Sequence, residues 1–351
     1  MLFSLRMVVF ASLCSFVLLT FACSQAPSGS TQQEKGPKSH TEKTTGTKES
    51  QLEKPFPSEY PQQESIEESH QDAGFSESSR QEFHTPDNLT SEAAPEKKSR
   101  CKSTETTITC QHNTASFQVG KIIKLPRRVY WQNPVGTPPS GGWPVAIMFQ
   151  GSLFSSRLNW LGFKNGPLGI YHQVRTLKGL LEAGYTVLTP VAHLSGTTFW
   201  ETNIPPYSIN WKIAPDHLFM EAIFAGIKNG VFGSVNEKKM FALGISSGGY
   251  MSSRMAVAYP GRFSALAIHS ASYATCSGPL CSVPALPADH PPTLFLHGRL
   301  DLIVPIRTME AYAQKLQAQK TKVAKEIDPK AGHEWISTSP QKIVDWFAKY
   351  R

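Results

Sequence analysis

The chain has 351 residues, 40% of them hydrophobic and 18% charged, with a formal net charge of +8. That is about twice the usual length of one domain and is apolar enough for a sizeable core, which excludes a wholly disordered chain and a small disulfide scaffold. The 25 glycines and 26 prolines are too few for a fibrous repeat, a charge of this size bears on solubility and makes no case for nucleic-acid binding, and a single apolar stretch approaches membrane length, so a multi-span membrane protein is excluded as well.

That stretch opens the chain. Arg6 precedes an apolar run from Met7 to Ala22, shorter than the roughly 20 residues of a spanning helix, and the pattern is that of an export signal over residues 1–22. Thr20-Phe21-Ala22-Cys23 resembles a bacterial lipobox, which makes Cys23 the expected lipidation site and the membrane a partner only through that anchor. Cleavage after Ser24-Gln25-Ala26, releasing a secreted protein, is the alternative. Residues 23–98 read as a disordered polar linker: from Ser24 onward Leu52, Ile66 and Leu89 are the only aliphatics larger than alanine, and 8 Lys+Arg face 14 Asp+Glu. Such a segment buries too little apolar area to offset its ordering entropy, and as a flexible coil it spans roughly 45 to 50 Å.

Four cysteines remain beyond Cys14 and Cys23. They allow three pairings; Cys101 with Cys110 and Cys276 with Cys281 is the expected one, because both short intervals lie between better-defined elements. Neither pair has Cys-x-x-Cys spacing and no His pair accompanies them, so no metal site is expected.

From residue 99 to 351 short apolar runs alternate with amphipathic ones. Pro144–Gln150, Tyr185–Thr189, Met240–Leu243, Phe263–His269 and Thr293–His297 are too short for buried helices and read as buried parallel strands. Tyr171–Ala183, Asp216–Lys228, Ser247–Ala258, Arg307–Gln319 and Gln341–Tyr350 read as helices, the last with Ile343, Trp346, Phe347 and Tyr350 on one face. This alternation predicts an α/β fold, a mostly parallel sheet with helices on both faces. Ser116–Trp131 is expected to add antiparallel strands at one edge.

In such sheets ligands bind at the carboxyl ends of the strands. There Gly244-Ile245-Ser246-Ser247-Gly248-Gly249 lies between a predicted strand and a predicted helix, the setting of a Gly-x-Ser-x-Gly nucleophile elbow. With Ser246 as nucleophile, the order Ser, Asp, His selects Asp301, just past the strand Thr293–His297, and His333, the one histidine after Asp301. His297 is given a structural role beneath Asp301. The amides of Ser247 and of Ser152, in Gln150-Gly151-Ser152, are the expected oxyanion donors. Trp160, Phe199, Trp200 and Trp211 fall in loops after strands and are candidates for lining an apolar acyl cleft.

On these motifs the region from Trp143 to Arg351 resembles the extracellular depolymerases of medium-chain-length polyhydroxyalkanoates, within the polyhydroxybutyrate-depolymerase-like esterases. The likeness is carried by GISSGGYMSSRMA (Gly244–Ala256), SASYATC (Ser270–Cys276), DHPPTLFLHGRLDLIVP (Asp289–Pro305) and AGHEW (Ala331–Trp335). It implies an α/β-hydrolase fold and cleavage of hydrophobic polyester bonds through an acyl-serine, with Ser246, Asp301 and His333 as triad and no metal or organic cofactor. Two other readings stay open at this point: an esterase of the feruloyl or acetylxylan type, and a catalytically silent surface lipoprotein.

Overall fold

The computed structural model describes residues 99–193, 199–278 and 280–351. The expected signal peptide, the polar linker and Cys23 lie outside the described residues. No helix among the described residues is long and apolar enough to cross a membrane.

The core of the fold is an eight-stranded sheet in the order β13-β12-β9-β8-β5-β7-β4-β3. Its strands are β3 (Asn113–Val119), β4 (Leu125–Gln132), β5 (Trp143–Phe149), β7 (Thr186–Pro190), β8 (Val235–Ile245), β9 (Phe263–His269), β12 (Thr293–Gly298) and β13 (Val323–Asp328). Six run parallel; β4 pairs antiparallel with β7 and β3 antiparallel with β4, so the expected antiparallel edge is present. The five predicted parallel strands all form, with β8 extended on its amino side to Val235. That extension is polar (Asn236, Glu237, Lys238, Lys239), which is why an apolar-run criterion misses it.

Side-chain alternation along these strands feeds two cores. Val145, Ile147 and Phe149 of β5 face one layer, Ala146 and Met148 the other, as the period of two requires. The first layer is completed by Phe219, Met220 and Phe224 of helix α2 (Pro215–Lys228), Met251 and Met255 of α3 (Ser247–Ala258), and Met309 and Tyr312 of α4 (Ile306–Ala318). The second is completed by Leu177 and Leu181 of α1 (Ile170–Glu182) and Ile343 and Phe347 of α5 (Ser339–Ala348). Helices therefore cover both faces, and the parallel strands are apolar on both sides because neither face meets water.

Small accessory sheets flank this frame. β1 (Cys101–Ser103) and β2 (Thr107–Cys110) pair antiparallel with Cys101 opposite Cys110, and β6 (Leu161–Phe163) joins β2. β10 (Cys276–Ser277) and β11 (Leu280–Cys281) pair with Cys276 opposite Cys281. Both expected disulfides, Cys101–Cys110 and Cys276–Cys281, are formed, each across directly facing positions of a hairpin.

The approach to β12 carries a buried histidine. His290 Nδ1 lies 2.9 Å from the Pro291 carbonyl and Nε2 2.7 Å from the Tyr312 hydroxyl on α4, so a neutral ring donates at Nδ1 and accepts at Nε2. Burial pushes its pKa down to about 4 from 6.5. The unfolded chain then binds a proton that the fold does not, and stability present at neutral pH is lost as the pH falls from 6.5 toward 4. Urea unfolding at pH 7 and pH 4.5 is expected to show this loss, and His290→Asn to reduce it by roughly 2 kcal/mol.

Candidate active site

The residue singled out as nucleophile sits where β8 ends and α3 begins. Ser246 has φ 55° and ψ −124°, a conformation that costs a non-glycine residue on the order of 1–3 kcal/mol. Its amide donates to the His269 carbonyl at 3.0 Å, and its own carbonyl accepts from the Tyr250 amide at 3.0 Å. The turn is pressed against β5: a Cβ on Gly248 would lie 2.2 Å from the Phe149 carbonyl oxygen, and one on Gly244 would lie 2.5 Å from the Gly248 carbonyl oxygen. Only glycine lets the chain approach this closely.

Asp301 and His333 come from the loops after β12 and β13. His333 Nδ1 is 2.8 Å from Asp301 Oδ2, with both side chains largely buried. Asp301 Oδ1 accepts from the amides of Ile303 (2.9 Å) and Val304 (2.8 Å). His297 lies beneath Asp301 as expected, its Nε2 2.9 Å from the Val304 carbonyl and 3.4 Å from Asp301 Oδ2. Burial by itself would raise the Asp301 carboxyl; the hydrogen bonds from His297, His333 and the Val304 amide outweigh it and hold the group well below the usual carboxylate range. The two loops are tied to each other by Arg299 N–H to the Asp328 carbonyl (2.8 Å) and Leu300 N–H to the Ala331 carbonyl (3.0 Å).

A residue absent from the expectations joins these parts. His269, the last residue of β9, takes the Ser246 amide on its carbonyl, while its ring Nε2 accepts from the Ile336 amide at 3.0 Å and lies 2.9 Å from Ser339 Oγ. Ile336 is three residues past His333. The imidazole is wholly buried, and burial, together with neighbouring His297 and His333, depresses its pKa well below the ordinary histidine range. A ring that accepts at Nε2, and is thus neutral, couples the elbow to the His333 loop. The strand-end position of His269 is its one signal in the sequence; it is one histidine among 11 and lies outside any motif.

The loops after β5 and β7 meet at the same edge. A Cβ on Gly151 would touch Ile245 Cγ2 at 3.3 Å and Ser246 Cβ at 3.8 Å, so Gly151 and the following Ser152 lie beside the elbow. Trp200 spans the gap: its amide donates to Ser247 Oγ at 2.8 Å and its indole N–H to the Gln150 carbonyl at 3.1 Å. Gln150 Oε1 accepts from the Ala192 amide at 3.3 Å, and its Nε2 donates to the Phe154 carbonyl.

The cleft-lining expectation needs correction. Trp160 is buried in the core beneath α1, its indole N–H on Thr189 Oγ1 at 2.8 Å; Trp200 is fully buried; Trp211 is buried beside Arg254, whose guanidinium lies 5.6 Å from its ring. Only Phe199, 37% exposed, remains available to a ligand. Large indoles in loops after strands are drawn inward because each buries a large apolar area and here finds an acceptor for its N–H or a packed cation.

Among the described residues one trio, His193, Glu201 and Asp216, brings ligand atoms within 4.8 Å of one another. Arg127 already fills that space, 3.0 Å from Asp216 Oδ1 and 3.4 Å from His193 Nε2. The trio is thus an ion-pair network tying β4 to the start of α2. Two clefts of about 410 and 460 Å3 are lined by α1, with Arg351 and α5 residues respectively, away from Ser246.

Gly248→Ala is expected to destabilise the fold by about 3 kcal/mol or more, since the clash is with backbone that cannot rotate away. Urea unfolding followed by circular dichroism checks it.

Comparison with known proteins follows the same lines. Residues 216–350 match the phospholipase/carboxylesterase family. A poly(3-hydroxyoctanoate) depolymerase of Pseudomonas fluorescens is 45% identical over 242 residues, covering 68% of this chain and 85% of that protein. Among solved structures, a candidate dipeptidyl aminopeptidase IV from Bacteroides ovatus is similar in fold, at TM-score 0.50 and 14% identity over 70% of this chain and 36% of that one. A Bacillus cereus carboxylesterase gives TM-score 0.46 at 11% identity, over 64% and 95% of the two chains. The chain is an α/β-hydrolase and belongs, with that Pseudomonas fluorescens enzyme, to the polyhydroxyalkanoate-depolymerase family of ester hydrolases.

Proposed function

We propose that the protein hydrolyses ester bonds of hydrophobic medium-chain-length polyhydroxyalkanoates, with Ser246 as nucleophile, His333 as base and acid, and Asp301 as its partner. The observation that carries this is the combination of a strained Ser246 at a strand-helix elbow with a buried His333–Asp301 pair at 2.8 Å. The identity to a poly(3-hydroxyoctanoate) depolymerase supports the substrate class.

The chemistry follows from the proton positions. The low-lying Asp301 carboxylate accepts from His333 Nδ1–H, which leaves Nε2 bare to take the Ser246 proton. Ser246 Oγ attacks the ester carbonyl, and the C=O electron pair becomes an oxyanion, held by the Ser247 and Ser152 amides and favoured by the positive N-terminal end of α3. Collapse breaks the C–O bond, and His333 Nε2–H protonates the leaving alcohol. A water, deprotonated in turn by His333, attacks the acyl-serine, releases the 3-hydroxyacid end and restores Ser246. Trp200 acts as a positioning residue, since it holds Ser247 and the Gln150 carbonyl in one frame.

On p-nitrophenyl octanoate, Ser246→Ala and His333→Ala are each expected to lower kcat by at least about 10^4-fold and Asp301→Asn by about 10^3 to 10^4-fold. Retention of wild-type turnover by any of the three sinks the assignment.

Two disulfides fit an exported protein. We further propose that residues 1–22 are removed and Cys23 becomes the lipidated N-terminus of an outer-membrane or surface form. Mass spectrometry of the mature protein is expected to find a diacylglyceryl-modified Cys23; an unmodified N-terminus at Pro27 would instead make it a freely secreted enzyme.

A further inference from the structure

The most exposed large apolar side chains among the described residues stand past the end of the sheet at which the parallel strands finish. Ile122, Ile123 and Leu125, at the turn between β3 and β4, are 96%, 75% and 62% exposed. Leu300 (58%) and Leu302 (86%) flank Asp301, and the segment after β7 adds Ile209 (84%). The β3–β4 tip belongs to that end because of the antiparallel register: Val129 of β4 lies opposite Pro190, the last residue of β7. Leu125 is four residues further on, so it stands roughly 13 Å past the carboxyl end of β7 at about 3.3 Å per residue. That is the end of the sheet from which the Ser246, Asp301 and His333 loops emerge. At the opposite end, Val135 and Val231 are only 38% and 44% exposed.

The tip has a built shape. Gly120 has φ +141°, and a Cβ there would lie 1.9 Å from the Ile123 carbonyl oxygen, so the backbone folds back in a way only glycine permits. Lys121 and Lys124 flank the isoleucines, and no acidic residue occurs from Asn113 to Gln132.

We propose that the β3–β4 tip is an adsorption anchor that seats the enzyme, active edge down, on the surface of a solid apolar polyester. This rests on the function proposed above and adds where the polymer is gripped. A chain locked in a water-insoluble solid cannot diffuse into a site, so the protein must bring the site to the chain. Ile122, Ile123 and Leu125 exchange water contact for contact with polymer methylenes, a favourable transfer that scales with area. The lysine stems extend the apolar footprint while their ammonium groups donate to surface ester carbonyls. The register places this tip at the same end of the sheet as the loops that carry Ser246, Asp301 and His333, with exposed Leu300 and Leu302 on the far flank of that end; a flat surface that meets the tip therefore also meets the site, which selects the substrate itself as the occupant over a lipid bilayer.

The test uses the full chain carrying Ile122→Ser, Ile123→Ser and Leu125→Ser together. On a Ser246→Ala background, partition onto polyhydroxyoctanoate particles is measured by depletion from the supernatant; with Ser246 intact, rates are measured on the particles and on soluble p-nitrophenyl octanoate. The expected result is at least a tenfold loss of partition and of particle hydrolysis, with kcat/KM on the soluble ester within twofold of the parent, which also reports that the variant folds. Unchanged partition overturns the proposal. So does an equal loss from Val231→Ser at the opposite end, or a loss confined to phosphatidylglycerol/phosphatidylcholine vesicles with polymer partition intact. Failure of the parent to cleave the soluble ester would instead count against the triad, because the adsorption measurement needs no turnover.

Discussion

Backbone packed against backbone at the β8–α3 elbow is the constraint on which the rest of the structure depends. Gly244 and Gly248 let the turn settle onto the carbonyls of Phe149 and Gln150, and that contact fixes three things together. It drives Ser246 into its strained conformation. It aligns the start of α3 with the end of β5, so that Gly151 lies against Ile245 and Ser246. It also sets the depth at which α3 lies on the sheet, and hence where Met251 and Met255 enter the core. The strain at one serine is affordable because the surrounding layers are buried and regular.

Around that elbow the polar groups are organised by relays. His269 binds the Ser246 amide with its backbone and the His333 loop with its ring, while Asp301 is held from below by His297 and from the side by two amides. Trp200 performs the equivalent task on the other flank, joining Ser247 to the Gln150 carbonyl. Each connector is buried and supplies hydrogen bonds in a medium where an unmade one is costly. The consequence is a preorganised site, in which loops from five strands are held in register by the protein's own hydrogen bonds.

Exposure at this end of the sheet follows a different logic from the core. Residues such as Leu302 and Ile122 stand in water although they are apolar, whereas Trp160, Trp200 and Trp211, which their place in loops after strands would offer to a ligand, are withdrawn. Branched aliphatics at loop tips suit a flat, uniform surface that presents no pocket-sized features. Buried indoles suit the task of holding the loops that carry those tips.

The sequence by itself determined the α/β class, five of the parallel strands, the pairing of Cys101 with Cys110 and Cys276 with Cys281, and the candidates Ser246, Asp301 and His333. These were legible because each rests on local pattern: strand length and flanking glycine, hairpin-range spacing, and the fixed chain order of an elbow, an acid loop and a late histidine. The tertiary structure alone decided the rest. Which tryptophans reach solvent, what His269 connects, how Arg127 fills the space among His193, Glu201 and Asp216, and that the β3–β4 tip stands at the same end of the sheet as Ser246 all depend on contacts between residues far apart in the chain. Such contacts are set by strand order and register, and neither leaves a mark in local periodicity.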